Sequence, residues 1–268
     1  MRAFLREALG GMPRADAWFR RTIWSRIHFP EHELRVLNAL APDSIDVAVD
    51  VGAAMGSYLW VLGRASRRVI AYEPGEAHSA YLEAVIDDPA LTLVRAAVGE
   101  TPGNLEMFTP GENNDARHEA TLSRDNPAAG ASGVRVRMVP VVTLDADLPG
   151  RIGDGSVDLI KIDVEGFENA VLAGAAAIIA RHHPLLIAEI EARHNPRYSE
   201  VFASLRSIGY EVFYAVDGTY QRLTGNQIEA LQTSTALAVR LSPGHDARQN
   251  RYINNFVFQH PRTRIKLI

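Results

Sequence analysis

The chain reads as an α/β fold, an open and mostly parallel sheet with helices on both faces. Three observations predict it. The apolar run Val47-Ala48-Val49-Asp50-Val51 breaks into the small-residue turn Gly52-Ala53-Ala54-Met55-Gly56. Tyr58, Leu59, Val61 and Leu62 then follow with helical spacing, so a first strand feeds a ligand loop and a helix. Next, Arg68-Val69-Ile70-Ala71-Tyr72 ends in Glu73-Pro74, where proline stops the ladder and leaves a carboxylate at the strand tip. Last, Val157-Asp158-Leu159-Ile160-Lys161-Ile162 is apolar enough for a central strand and ends in Asp163-Val164-Glu165-Gly166.

Composition sets the bounds. With 268 residues, 47% apolar and 22% charged, the chain can bury one good core as a soluble globule. A net charge of −4 gives no reason to expect a nucleic-acid partner. The absence of cysteine excludes disulfides, thiolate metal sites and a cysteine nucleophile together. No apolar run approaches the roughly 18 residues of a membrane span, and the N-terminus lacks a signal-peptide core, so a cytoplasmic location is expected.

Residues 1–40 predict a helical extension to a domain spanning 41–268. Phe19, Ile23 and Ile27 form a stripe widened by Trp18 and Trp24, set among Arg14, Arg20, Arg21 and Arg26. Such a stripe packs on the domain, covers the substrate mouth, meets a second subunit as a homodimer, or lies on a membrane surface. A helix over 33–40 leads to strand one. After Glu73 a helix runs over roughly 76–86, and Leu91-Thr92-Leu93-Val94 is strand three. The region 100–145 breaks the rhythm as a β-rich and loop insertion. Residues 105–108 and 134–139 alternate as half-exposed antiparallel strands. Between them 109–133, with His118 and Glu119 inside, reads either as a flexible lid or substrate loop or as a disordered insertion. A helix over 167–179, strand five over 184–191 and a helix over 201–208 stopped by Gly209 follow.

The loop and the acid at the tip of strand two point to a nucleoside ligand. Small residues let the backbone approach it, and an acid in Glu73's place hydrogen-bonds ribose hydroxyls. Adenine belongs near the end of strand three, close to Ala97. In strand four, Lys161 and Asp163 share one face, and either Asp163 or Asp50 is a partner for the lysine. Asp163 and Glu165 stand at the strand's carboxyl end, where ligands bind.

The segments Val49-Asp50-Val51-Gly52-Ala53 with Gly56-Ser57-Tyr58, Tyr72-Glu73-Pro74, Ala97-Val98-Gly99-Glu100-Thr101-Pro102-Gly103, Val141-Val142-Thr143-Leu144-Asp145 and Lys161-Ile162-Asp163-Val164-Glu165-Gly166-Phe167-Glu168 occur in order, followed by Val171-Leu172-Ala173-Gly174-Ala175. Together they resemble the FkbM family of S-adenosylmethionine-dependent methyltransferases, from about residue 30 to the C-terminus. The resemblance implies a class I methyltransferase (Rossmann-like) sheet of seven strands, mostly parallel with an antiparallel last strand. Residues 211–214 and 255–258 are similar to its closing antiparallel pair. It also implies S-adenosylmethionine as donor, S-adenosylhomocysteine as product, and a hydroxyl on a sugar, glycan or secondary metabolite as acceptor. On matching positions the donor would meet Asp50, Gly52, Ala53, Gly56, Tyr58, Glu73, Pro74, Ala97 and Asp163. Two positions depart from the family pattern: Ala54 stands where asparagine is usual, and Val85 where a second asparagine is usual.

Methyl transfer to an alcohol needs in-line positioning and a base for the departing proton. Asp163 and Glu165 rank first for that base and His194 next, with Glu189 also on the expected face. Asp163, Glu189 and His194 also suit a divalent metal, although no dense ligand motif demands one. Two other readings stay open. A nicotinamide-dependent oxidoreductase would need a glycine at 54, and a methyltransferase-like protein without catalysis would keep only the binding loop.

Overall fold

In the computed structural model, residues 31–111, 120–225, 228–233 and 252–268 are described. The chain enters through α1 (His32–Ala39) and alternates β1 (Ile45–Val51), α2 (Ser57–Ala65), β2 (Ser66–Tyr72), α3 (Glu76–Val85) and β3 (Leu91–Val94). There the alternation stops. β4 (Ala97–Val98), β5 (Gly103–Thr109) and β6 (Arg135–Val142) form a separate three-stranded sheet, ordered β4-β6-β5. The alternation resumes with α4 (Leu144–Ile152), β7 (Val157–Ile162), α5 (Glu168–Ala173), α6 (Ala176–His182), β8 (Leu185–Glu189) and α7 (Tyr198–Ser207). β9 (Glu211–Val216), β10 (Thr219–Arg222), α8 (Ile228–Leu231) and β11 (Asn255–Gln259) complete it.

The main sheet has the order β10-β9-β11-β8-β7-β1-β2-β3. β1 pairs in parallel with both β2 and β7, and β11 runs antiparallel to β8 and β9. Strand order therefore reverses between β1 and β7, the crevice where open α/β sheets take ligands. Every residue of β7 and all but one of β1 are buried, as strands covered on both faces require. Val47, Val49, Ile160, Leu186 and Phe256 pack against α4, α6 and α7 on one face. Ala48, Leu159, Ile187 and Val257 pack against Leu34 and Leu37 of α1 and Leu59 and Leu62 of α2 on the other.

This is the expected class I sheet, with three differences. It has eight strands, not seven, because Asp217 (φ 50°) and Gly218 (φ 78°) turn the chain back so that β10 pairs with β9. Two consecutive left-handed residues make the tight hairpin turn that Asp-Gly favours. The helix expected over 167–179 is two helices. A Cβ on Gly174 would lie 1.9 Å from the Gly99 carbonyl oxygen, so the chain bends there under close backbone contact. Asp145 then receives Ala177 N–H and Ile178 N–H at 3.0 and 2.9 Å, capping α6 from another helix. Finally, α4 is a helix the sequence reading passed over, and its Leu144, Leu148 and Ile152 are all buried.

The apolar stripe of 18–27, the homodimer surface proposed on it, His118 and Glu119 lie outside the described residues. The far half of the 109–133 loop is held in place. Thr121 bridges Phe108 at the edge of β5, and Asn126 caps a 3-10 turn at Pro127–Gly130. Among the described residues, no helix is long and apolar enough to cross a membrane.

Candidate active site

The β1–α2 loop is built from left-handed residues: Gly52 (φ 80°), Ala54 (φ 46°) and Gly56 (φ 80°). The N–H groups of Gly52 and Ala53 both reach the Tyr72 carbonyl, which ties the loop to the end of β2. The sequence argument keeps Gly52 small for a ligand. In the fold, a Cβ there would sit 1.8 Å from the Asp163 carbonyl oxygen, so the space is already taken by the end of β7. Ala54 is a non-glycine in a conformation that asparagine tolerates better. Its N–H donates to Glu73 Oε2 at 2.8 Å, while Gly75 N–H donates to Glu73 Oε1 at 2.7 Å. The acid at the tip of β2 is thus buried and clamped between two backbone donors, and Pro74 sits between them in sequence.

Two expected donor positions also make structural contacts. Tyr58 is buried in α2, where its hydroxyl donates to Glu31 Oε2 at 2.5 Å. Ala97 packs in a small core with Met107, Val139 and Val141 under the three-stranded sheet. Each satisfies a structural demand that sequence spacing does not reveal.

Lys161 lies beside Asp50 across the β1–β7 ladder and is 1% exposed. Its Nζ is 3.4 Å from Asp163 Oδ2, bonds the Ile162 carbonyl at 3.3 Å and stands 4.8 Å from the centre of the Tyr58 ring. Burial pulls its pKa down. The carboxylates of Asp163, Glu189, Glu31 and Asp50 outweigh that and hold it above the ordinary lysine value. One ammonium serves all of them. Burial pushes Asp50 up to about 7 against the opposing pull of Lys161, and its Oδ2 has no hydrogen-bond partner among the described residues. Burial likewise drives Glu33 up to about 7 and Glu189 well above the carboxylate range.

The turn after β7 has a different character. Glu165 is left-handed at φ 50° and Gly166 follows at φ 99°. The Glu165 carbonyl accepts from Thr121 Oγ1 at 2.6 Å and Asn126 Nδ2 at 2.7 Å, which pins the unusual backbone. Its side chain reaches the segment after β8, where Oε2 lies 2.6 Å from His194 Nδ1. A Cβ on Gly166 would be 2.4 Å from the His194 carbonyl oxygen, so the two segments pack backbone to backbone. Glu168 locks them further: Oε1 accepts from Gly166 N–H at 2.8 Å and Oε2 from Asn195 Nδ2 at 2.7 Å. Burial raises Glu165, with the His194 hydrogen bond opposing, and raises Glu168 to about 7. Glu191 is held below its usual value despite burial by Arg193, with Tyr252 adding a hydrogen bond at 2.8 Å.

The fold therefore joins Glu165 to His194 and Asp163 to Lys161, as two separate pairs. Glu168 and Asn195 stand beside the expected residues in sequence but carry no signal of their pairing. Among the described residues, no group of three histidine, aspartate or glutamate side chains is arranged to hold a metal ion. A cleft of about 490 Å³ opens next to the turn, between β5–β6 and α5.

Among solved structures, the chain is similar to a methyltransferase FkbM from Methylobacillus flagellatus KT, at 19% identity and a TM-score of 0.49. That likeness covers 82% of this chain and 45% of the other, so this chain spans less than half of that protein's length. It is also similar to an O-methyltransferase from Bacillus cereus in complex with SAH (12% identity, TM-score 0.40, 85% and 76% covered). A third is a TehB-like SAM-dependent methyltransferase from Corynebacterium glutamicum (13% identity, TM-score 0.40, 94% and 99% covered). No curated protein matches the chain. The Methyltransferase FkbM domain matches residues 50–212, more than half of the chain and both halves of the crevice, and on that match the chain belongs to the FkbM methyltransferase family.

Proposed function

We propose that the chain is an S-adenosylmethionine-dependent O-methyltransferase that methylates a hydroxyl of a sugar, glycan or secondary metabolite. His194 is its base and Glu165 holds that base. The observation that carries this is the 2.6 Å contact of Glu165 Oε2 with His194 Nδ1 beside the crevice. A carboxylate on Nδ1–H fixes the tautomer and leaves Nε2 as the proton acceptor. Of the two acids ranked first from the sequence, Glu165 positions His194, and Asp163 is engaged with Lys161 and serves charge balance.

The residues present fit the donor. Glu73 accepts one backbone N–H on each oxygen, and a carboxylate oxygen has a further lone pair for a ribose hydroxyl. The partnerless Oδ2 of Asp50 and the surplus of carboxylates over Lys161 suit a ligand with positive charge. When bound, S-adenosylmethionine supplies an activated methyl group and leaves as S-adenosylhomocysteine. The chain's own residues supply the rest. Holding the acceptor oxygen in line is worth about 7–11 kcal/mol when done well. As that oxygen gains the methyl group, its proton passes to His194 Nε2, a contribution of about 10²–10⁴-fold. Glu165 then stabilises the imidazolium.

The test uses labelled methyl groups. Wild-type protein should bind S-adenosylmethionine by calorimetry and transfer its methyl to a hydroxyl acceptor. His194→Ala should keep donor affinity within about tenfold and lose about 10²–10⁴-fold in turnover. No donor binding, or full turnover by His194→Ala, would refute the reading.

A further inference from the structure

We propose that the cleft between the three-stranded sheet and α5 is the acceptor site, and that it takes an uncharged ring compound carrying several hydroxyl groups. This rests on the methyltransferase reading above. Position comes first. Gly166 and Asn195 both line the cleft, and each is the residue immediately after a member of the Glu165–His194 pair. A ligand there lies against the turn that aims the base. At about 490 Å³ the space is within the range of small-molecule sites, roughly 300–1,000 Å³.

The lining decides the chemistry. Its charges balance, with Arg124 and Arg197 against Glu106 and Asp125. Arg124 is bonded to Glu106 and lies over the Phe108 ring, and Arg197 is 3.7 Å from Glu200 outside the cleft. The field thus favours neither an anion nor a cation. Asn104, Asn169 and Ser123 offer groups that both donate and accept, as hydroxyl groups also do. Against these polar groups stand Leu105 and Met138, 40% and 58% exposed, which give the cleft an apolar wall. An apolar wall with a polar, neutral rim matches a sugar-like ring, which has a C–H face and hydroxyl edges. It does not match a phosphorylated or carboxylated compound. The β5–β6 insertion becomes the element that chooses the acceptor, while the main sheet serves the donor.

The experiment is saturation-transfer NMR on the full chain with methyl α-D-glucopyranoside, and with D-glucuronate as the charged counterpart. Wild type should transfer saturation to the pyranoside, and about tenfold less to glucuronate. Met138→Trp, which fills the cleft from an exposed strand position, should lower pyranoside transfer about tenfold. Ile208→Trp, equally exposed at the end of α7 and outside the cleft, should change nothing. Calorimetry with S-adenosylmethionine on the same samples should give one affinity for all three proteins. The proposal falls if wild type transfers nothing to the pyranoside, or if glucuronate is its equal. It also falls if Met138→Trp matches wild type or weakens the donor, or if Ile208→Trp loses the signal too. A wild type that binds pyranoside in the cleft but no S-adenosylmethionine would instead remove the methyltransferase reading and leave the cleft assignment standing.

Discussion

Two groups of carboxylates stand at the same edge of the sheet, and the fold treats them in different ways. Around Glu165, Glu168 and Glu191 the acids are matched: His194, Gly166, Asn195, Tyr252 and Arg193 each donate to one of them. Around Lys161 the match is incomplete. Glu31 accepts from Tyr58 and Glu189 from Asn254, but Asp163 relies on the one shared ammonium, and Asp50 Oδ2 has no hydrogen-bond partner among the described residues. A satisfied network fixes geometry, and an unsatisfied one stores a demand for charge. The first suits a base that must be aimed, the second a site that awaits a cation.

Breaking the second group should have the largest effect. Lys161→Met removes the shared cation; breaking a fully buried ion pair from one side costs about 3–5 kcal/mol, and the loss here should fall below that because Asp163, 35% exposed, keeps contact with water. Urea unfolding at neutral pH should show that loss, and an unchanged midpoint would mean the acids are already neutral and need no lysine. Breaking the first group should act on rate instead. Glu165→Gln keeps the shape of the contact to His194 but removes the charge that stabilises imidazolium, so turnover should fall by about 10²-fold. Its unfolding free energy should stay within about 1 kcal/mol. A stable variant with normal turnover would show that Glu165 is only a structural brace.

Glu73 stands outside both groups, at the tip of β2 on the far side of β1. Glu73→Ala removes the acceptor that holds Ala54 N–H and Gly75 N–H, and should weaken S-adenosylmethionine by about 1.5–3 kcal/mol in calorimetry. Equal affinity would remove Glu73 from the donor site. A pH dependence is expected as well. Burial moves the Asp50 carboxyl from 3.8 to about 7, so the folded state holds a proton that the unfolded chain has already lost. Stability is then fully present below the unfolded pKa and is lost as pH rises through about 7. Asp50→Asn should flatten that decline, measured as unfolding free energy across this window, and a slope equal to wild type would assign it to Glu33, Glu168 or Glu189.

The parts that sequence reading recovered are those where burial leaves a continuous trace. β1, β2 and β7 are covered on both faces, so their apolar runs are nearly unbroken and their terminal acids stand out. The eighth strand had a signal in Asp217-Gly218, a hairpin turn placed in a segment too short to look like a strand pair. α4 had one too, in the spacing of Leu144, Leu148 and Ile152, but Pro149 and the acids around it masked the pattern. The break at Gly174 had none, because its cause is the carbonyl of Gly99 in a distant segment. The same holds at the site. Glu165 and His194 were each visible at a strand end, yet their pairing depends on β7 and β8 being neighbours and on a left-handed Glu165. Tyr58 and Ala97 show the converse: motif positions whose side-chain contacts, with Glu31 and with the insertion's core, carry no trace in the sequence.

The tautomer of His194 decides whether it is the base, and it can be measured with neither donor nor acceptor present. Nitrogen-15 NMR of the histidine rings, with His194→Gln used to assign the signal, reports which ring nitrogen carries the proton in the neutral form. Glu165 on Nδ1 predicts an Nδ1–H tautomer with bare Nε2 in wild type, and a mixture of tautomers in Glu165→Gln. A wild-type His194 protonated on Nε2 would leave it no lone pair for the acceptor's proton and would contradict the assignment of the base.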